Sequence, residues 1–187
     1  VGQVKDEQFG GSVSPIYPGT SYEYIDKELD RYPRYSSTPN QEFLSKKIAS
    51  LENGEKALIF TSGMAAISTS IMANVKTGDH IVVQNDIYGG TRNFVMTEFD
   101  KFGIEYSFTD GLDPLNFSDQ IKDNTVGIYI ETPSNPLLKI VDLKSVSSIA
   151  KDNGVWTMID NTFSSPVNQN PIDHGIDIVL HSATKYL

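Results

Sequence analysis

The stretch Asp177-Ile178-Val179-Leu180-His181-Ser182-Ala183-Thr184-Lys185 begins with strand-forming residues and ends on two hydroxyls and a lysine. Residues 176–180 read as a strand with apolar faces on both sides. The hydroxyls and the lysine then fall just past its carboxyl end, where open α/β sheets gather their ligands. Working back from there, the same unit recurs. Short apolar runs at Ala57–Phe60, His80–Gln84, Glu105–Phe108, Val126–Ile130 and Trp156–Ile159 read as further strands. Helical spacing is expected between them, over Met64–Lys76, Thr91–Phe102, Pro114–Lys122 and Leu143–Asn153. An earlier helix carries Phe43, Leu44, Ile48 and Leu51 and stops at Asn53-Gly54. Strands alternating with helices across short connections predict an α/β fold: a mostly parallel sheet with helices on both faces.

Residues 1–39 break this pattern. Pro15, Pro18, Pro33 and Pro39 interrupt any helix, and Tyr17, Tyr22, Tyr24, Tyr32 and Tyr35 supply aromatic anchors. We expect an extended N-terminal arm lying on another surface, that of a second subunit, followed by a large domain over 40–187. At 187 residues the chain is one sizeable domain or part of a larger protein.

Composition narrows the function. With 39% hydrophobic and 21% charged residues the chain reads as globular, and no apolar run reaches the ~20 residues that span a bilayer. No membrane partner is expected, and the expected compartment is the cytoplasm. A net charge of -9 argues against nucleic acid, whose phosphates require clustered Lys and Arg. The absence of cysteine excludes thiolate catalysis and disulfides. His80, His174 and His181 show no metal-ligand spacing, so no metal is expected.

The residues after each strand are polar: Thr61-Ser62-Gly63-Met64, Asp86-Ile87-Tyr88-Gly89-Gly90, Glu131-Thr132-Pro133-Ser134-Asn135-Pro136, Asp160-Asn161-Thr162 and Ser182-Ala183-Thr184-Lys185. Ser62-Gly63-Met64 sits at a strand-to-helix turn, where unpaired N–H groups suit an anion; a plain helix cap is the other reading. Asp160 ends an apolar strand, so its carboxylate needs a partner, either a helix N-terminus or a protonated ring nitrogen. Tyr88, beside two glycines, is either a core residue or a ring open to a planar ligand. Lys185 is either a surface charge or a partly buried amine whose lowered pKa would make it a nucleophile and base. An anion cradle, a carboxylate for a pyridinium, an aromatic lid and a reactive amine are together the requirements of pyridoxal 5'-phosphate.

These stretches, with Tyr32-Pro33-Arg34, Asp160-Asn161-Thr162-Phe163 and His181-Ser182-Ala183-Thr184-Lys185-Tyr186, give the chain a resemblance to the Cys/Met-metabolism pyridoxal-phosphate enzymes of fold type I. That family includes cystathionine γ-synthase, γ-lyase and β-lyase, and the resemblance runs through essentially the whole chain. It implies that Lys185 carries the cofactor covalently and that Asp160 keeps the pyridine nitrogen protonated. It further implies that Ser62, Gly63, Met64, Ser182 and Thr184 hold the phosphate and that Thr162 stands in the cofactor site. Tyr88 would stack on the ring and serve as an acid or base, and Asn135 would bond the ring hydroxyl. Tyr32 and Arg34 would reach the phosphate of a neighbouring subunit. By the same resemblance the enzyme is a homo-oligomer, a dimer of active sites assembled as a tetramer, acting on an amino acid. The large domain ends just after the cofactor lysine, and the family's C-terminal domain, which normally holds the substrate carboxylate, is expected as a missing partner half.

The expected activity is elimination or replacement at the γ- or β-carbon of sulfur-containing amino acids, with a leaning to cystathionine γ-synthase or γ-lyase. Two departures stand out. Thr38-Pro39 replaces the family's usual Gly-Asn-Pro turn after the Tyr-x-Arg element, and Gly90 stands where methionine γ-lyases carry cysteine. The alternatives are a fold type I aminotransferase, a catalytically incomplete fragment, and a nucleotide-binding module. The last is disfavoured because no Gly-x-Gly-x-x-Gly follows the first strand.

Overall fold

The computed structural model describes residues 5–26 and 31–187. It divides into two compact units, Val1–Ile59 and Phe60–Leu187.

In the first unit, residues 5–26 carry neither helix nor strand. A 3-10 turn, Pro33–Tyr35, precedes helix α1, Pro39–Leu51. Pro39 occupies the first helical position, where its missing N–H costs nothing, and the Gln41 side chain reaches back to the Thr38 N–H at 3.2 Å. Asn40 ties the N-terminal segment to this helix: its side chain accepts from the Tyr17 N–H at 3.0 Å and donates to the Tyr17 carbonyl at 2.7 Å. The Tyr17 ring meets Phe43 edge-on at 6.0 Å.

The second unit holds five strands: β1 His80–Gln84, β2 Glu105–Thr109, β3 Thr125–Glu131, β4 Trp156–Asp160 and β5 Ile178–Leu180. All pairings are parallel, and the order is β2-β1-β3-β4-β5. Helix α2 Gly63–Ala73 precedes β1, and helices α3 Gly89–Phe102, α4 Leu115–Ser118, α5 Leu143–Asn153 and α6 Ser165–Asn168 connect the strands in turn. Side chains alternate across a strand, so each apolar run feeds two cores. Ile81, Val83, Tyr129 and Met158 pack with Ile67 and Ile71 of α2 and Val95 and Phe99 of α3. Val82, Ile128, Ile130 and Ile159 pack with Phe117 of α4 and Val146 and Ala150 of α5. The sheet is covered on both faces, as the alternating pattern predicts.

The order also fixes where a ligand belongs. From β1 the chain moves outward to β2, then returns to the other side of β1 to form β3. The carboxyl ends of β1 and β3 therefore flank a switch point, the place where open α/β sheets receive their ligands.

One expected strand is absent. Residues 57–60 are not in a sheet, and Leu58 is 72% exposed. A strand exists only when a neighbour pairs with it, and the sheet formed by the described residues ends at β2 and β5. Helix α4 is also shorter than the expected 114–122, and α6 adds a turn that the sequence spacing does not predict. Among the described residues no helix is long and apolar enough to cross a membrane.

Candidate functional site

Glu131 ends β3 at the switch point and is only 4% exposed. One carboxylate oxygen accepts from the Tyr88 N–H at 2.6 Å, and the other from the Asn135 N–H at 2.9 Å. The loops after β1 and β3 are thus tied through one side chain. Gln84, at the end of β1, braces the same place: its side-chain oxygen accepts from the Glu131 N–H at 2.9 Å and its amide donates to the Asp86 carbonyl at 3.1 Å. Burial pushes the Glu131 carboxyl up to about 7; the two N–H donors oppose this, and the negative charge of Asp160 adds to it.

Tyr88 caps α3, and the residue is 43% exposed, so it does not belong to the core. Its ring lies against Gly90, where a Cβ would sit 2.5 Å from the ring's Cε1 atom and 3.2 Å from Met64 Sδ. Glycine at 90 is what lets the tyrosine and Met64 approach. Glu131 holds Asn135 by its backbone N–H, which leaves the amide side chain for other work.

Asp160 ends β4 beside Glu131, its register partner on β3. It is 6% exposed and accepts from the Thr162 N–H at 3.0 Å. Burial raises its carboxyl above the usual range, although Thr162, His181 and Lys185 pull the other way. A buried carboxylate in that condition favours a cation against it. The Thr162 hydroxyl accepts from the Ser182 N–H at 2.8 Å, joining the loop after β4 to the loop after β5. Ser182 Oγ in turn accepts from Lys185 Nζ at 2.9 Å and lies 3.4 Å from Thr184 Oγ1.

The N-terminus of α2 meets this cluster. Ser62 is the N-cap, accepting from the Ala65 N–H at 3.0 Å, so the plain capping role is realised. Its neighbour Gly63 is pressed against Ser182: a Cβ there would lie 2.7 Å from Ser182 Cβ and 2.8 Å from Oγ. The free N–H end of a helix therefore lies beside a serine hydroxyl, with Thr184 and a lysine within the same chain of contacts, which is the donor set of an anion site.

A family model described as Cys/Met metabolism PLP-dependent enzyme matches residues 1–187. The chain belongs to this family. Pyridoxal phosphate is the cofactor of these PLP-dependent enzymes, and the residues present suit it. The close approach that Gly63 permits at the start of α2 suits a phosphate, and the buried Asp160 carboxylate, which gains from a cation set against it, suits a pyridinium. A cystathionine β-lyase, MetC, of Bacillus subtilis is 50% identical over 152 residues, which is 81% of this chain and 39% of that protein. A cystathionine γ-synthase/O-acetylhomoserine (thiol)-lyase of the same organism is 40% identical over 189 residues, covering 100% of this chain and 50% of its own length. The crystal structure of metB from Corynebacterium glutamicum superposes with a TM-score of 0.92 at 36% identity, over 99% of this chain and 49% of that one. The chain spans about half the length of the curated relatives it matches.

Of the residues expected from the sequence, Ser62, Gly63, Asp160, Thr162, Ser182, Thr184 and Lys185 are brought together at the ends of β4 and β5 and the start of α2. Met64 and Tyr88 both lie against Gly90, and Tyr88 and Asn135 are joined through Glu131, the register partner of Asp160. Tyr32 and Arg34 belong to the first unit, where the Arg34 guanidinium stands over the Tyr32 ring, 5.6 Å from its centroid, and Tyr35 packs edge-on at 5.1 Å. The expected partial burial of Lys185 is not found: it is exposed. Strand β5 ends at Leu180, and the lysine lies five residues further on, beyond the rim of the sheet rather than within it. Glu131 is a site residue that the sequence reading does not single out. Its signal is the same as that of Asp160, a carboxylate ending an apolar strand. Among the described residues no three His, Cys, Asp or Glu side chains are grouped as metal ligands.

Proposed function

We propose that the full-length protein uses pyridoxal phosphate to eliminate or replace a substituent at the γ- or β-carbon of a sulfur-containing amino acid. The observation that carries this reading is the linked set Asp160, Thr162, Ser182 and Lys185 at the ends of β4 and β5, with Gly63 against Ser182. The cofactor, when bound, supplies an electron-withdrawing ring that stabilises negative charge on the substrate carbon next to the amino group.

The chain's own residues do the rest. Asp160 holds the positive charge on the ring nitrogen, since its buried carboxylate gains most from a cation. Lys185 would hold the cofactor, and its amine is the group placed to take the proton from the substrate's α-carbon. Its contact with Ser182 keeps it beside the phosphate donors Ser62, Gly63, Met64 and Thr184. Thr162 orients Asp160 and Ser182 together. Tyr88 covers one ring face, and Asn135 bonds the ring hydroxyl.

Tyr32 and Arg34, in an arm over 1–39 that precedes the large domain over 40–187, act on a neighbouring subunit. The working enzyme is a cytoplasmic homo-oligomer, and its C-terminal half holds the substrate carboxylate. Relatives named as β-lyase and as γ-synthase both support the class.

The test is product analysis of the full-length protein with cystathionine, with methionine, and with an O-acylhomoserine plus cysteine. Release of a keto acid with loss of a side-chain sulfur group, or formation of cystathionine, is expected. Transfer of the amino group to a keto acid with the side chain intact would replace this reading with an aminotransferase.

A further inference from the structure

We propose that Glu131 is a positioning residue that sets the separation of Tyr88 and Asn135, and so the width of the slot that receives the cofactor ring. The proposal rests on the cofactor role assigned to this site under Proposed function and deepens it.

The two residues come from different loops, one after β1 and one after β3. Each is fixed by its backbone N–H to one oxygen of the same carboxylate, at 2.6 and 2.9 Å. A backbone N–H is a rigid handle: moving it moves the Cα and therefore the ring of Tyr88 and the amide of Asn135. The carboxylate is itself held rigidly. It is buried, and the Glu131 backbone N–H is taken by Gln84, whose other end grips the loop after β1 at Asp86. Two ties therefore cross the switch point, one through the Glu131 side chain to Tyr88 and one through the Gln84 side chain to Glu131, while the second Glu131 oxygen holds Asn135 on its own loop.

The chemistry selects glutamate. Only an acceptor on both terminal atoms serves two N–H donors; glutamine would turn an N–H₂ group towards one of them, and aspartate is a methylene too short to reach both. A carboxylate buried for packing alone would gain nothing from this arrangement. Burying it is unfavourable, as its raised carboxyl shows, so the two N–H bonds are what the position returns.

The experiment compares wild type with Glu131→Gln in the full-length protein, freed of cofactor and titrated with pyridoxal phosphate. Affinity is followed by the visible absorbance band and the pose by the circular dichroism of that band. The proposal expects cofactor affinity to fall about tenfold, the scale of one charge-assisted hydrogen bond, and the dichroic signal to change, with Glu131→Asp giving no rescue. A lower melting temperature with unaltered affinity and dichroism would mean a structural role only and would overturn it.

Hydrogen exchange on wild type gives a second reading that needs no variant. Peptides covering 86–90 and 132–137 should gain protection in step as cofactor is added, and protection of one without the other also overturns the proposal. Wild type failing to bind pyridoxal phosphate would remove the cofactor reading itself, which separates that failure from this one.

Discussion

Replacing Gly63 with alanine probes the anion site by a perturbation of known size. The added Cβ would lie 2.7 Å from Ser182 Cβ, 2.8 Å from its Oγ and 3.1 Å from its Cα. Ordinary contact begins near 3.4 Å, so α2 and the loop after β5 must separate by about 0.7 Å. The clash reaches the Ser182 Cα as well as its side chain, so a rotamer change at Ser182 cannot absorb it. Ser182 is tied to Thr162 through its N–H and to Lys185 through its hydroxyl, and the shift passes to both.

Overpacking of this kind costs about 1–3 kcal/mol. If half or more of that cost falls on the donor geometry, pyridoxal phosphate affinity weakens by roughly 2- to 150-fold. Fluorescence titration of the cofactor-free protein measures the affinity, and thermal melting without cofactor measures the fold. A Gly63→Ala protein that binds the cofactor as wild type does would refute the reasoning, because the α2–Ser182 approach would then have no part in holding it.

Two other outcomes concern the buried carboxylates. Asp160→Asn removes the charge expected to hold the ring nitrogen, so turnover should fall on the order of 10²-fold or more. The melting temperature of the cofactor-free protein should stay level or rise, because a desolvated carboxyl is lost; the two assays moving together downward would count against the assigned role. Burial, with the negative charge of Asp160 beside it, raises the Glu131 carboxyl to about 7 in the folded chain. Between its unfolded value, about 4.5, and about 7 the folded state keeps a proton that the unfolded state has lost, so stability falls as pH rises through that window. The loss amounts to about 3 kcal/mol. Denaturant melts of cofactor-free Glu131→Gln should show that slope flattened, and an unchanged slope would place the proton elsewhere.

Much of the fold is legible in the sequence because its strands are buried on both sides. His80–Gln84 is fully buried and reads as an uninterrupted strand, and Leu143–Asn153 forms the helix its spacing predicts. Residues 57–60 have the same apolar character but no partner, and pairing is not a property of the run itself. Helix α6 escapes notice because Ser165-Pro166-Val167-Asn168 gives one turn, too short for any period to appear.

The site is legible as a set of strand ends, since a polar residue directly after an apolar strand is conspicuous. The exposure of Lys185 is not legible, because burial depends on what lies over a residue and not on its neighbours in sequence. Nor is the role of Glu131, whose ligands are backbone N–H groups. One of them belongs to Tyr88, 43 residues away, and backbone donors leave no trace in residue identity.

The central claim, that Lys185 is the residue that carries pyridoxal phosphate, is tested most directly by trapping. The full-length protein is loaded with pyridoxal phosphate, reduced with borohydride to make the lysine linkage permanent, digested and mapped by mass spectrometry. The pyridoxyl-phosphate mass is expected on Lys185 and absent from Lys139, which is engaged with Asp86. A label on another lysine, or none on the Lys185 peptide, would contradict the account.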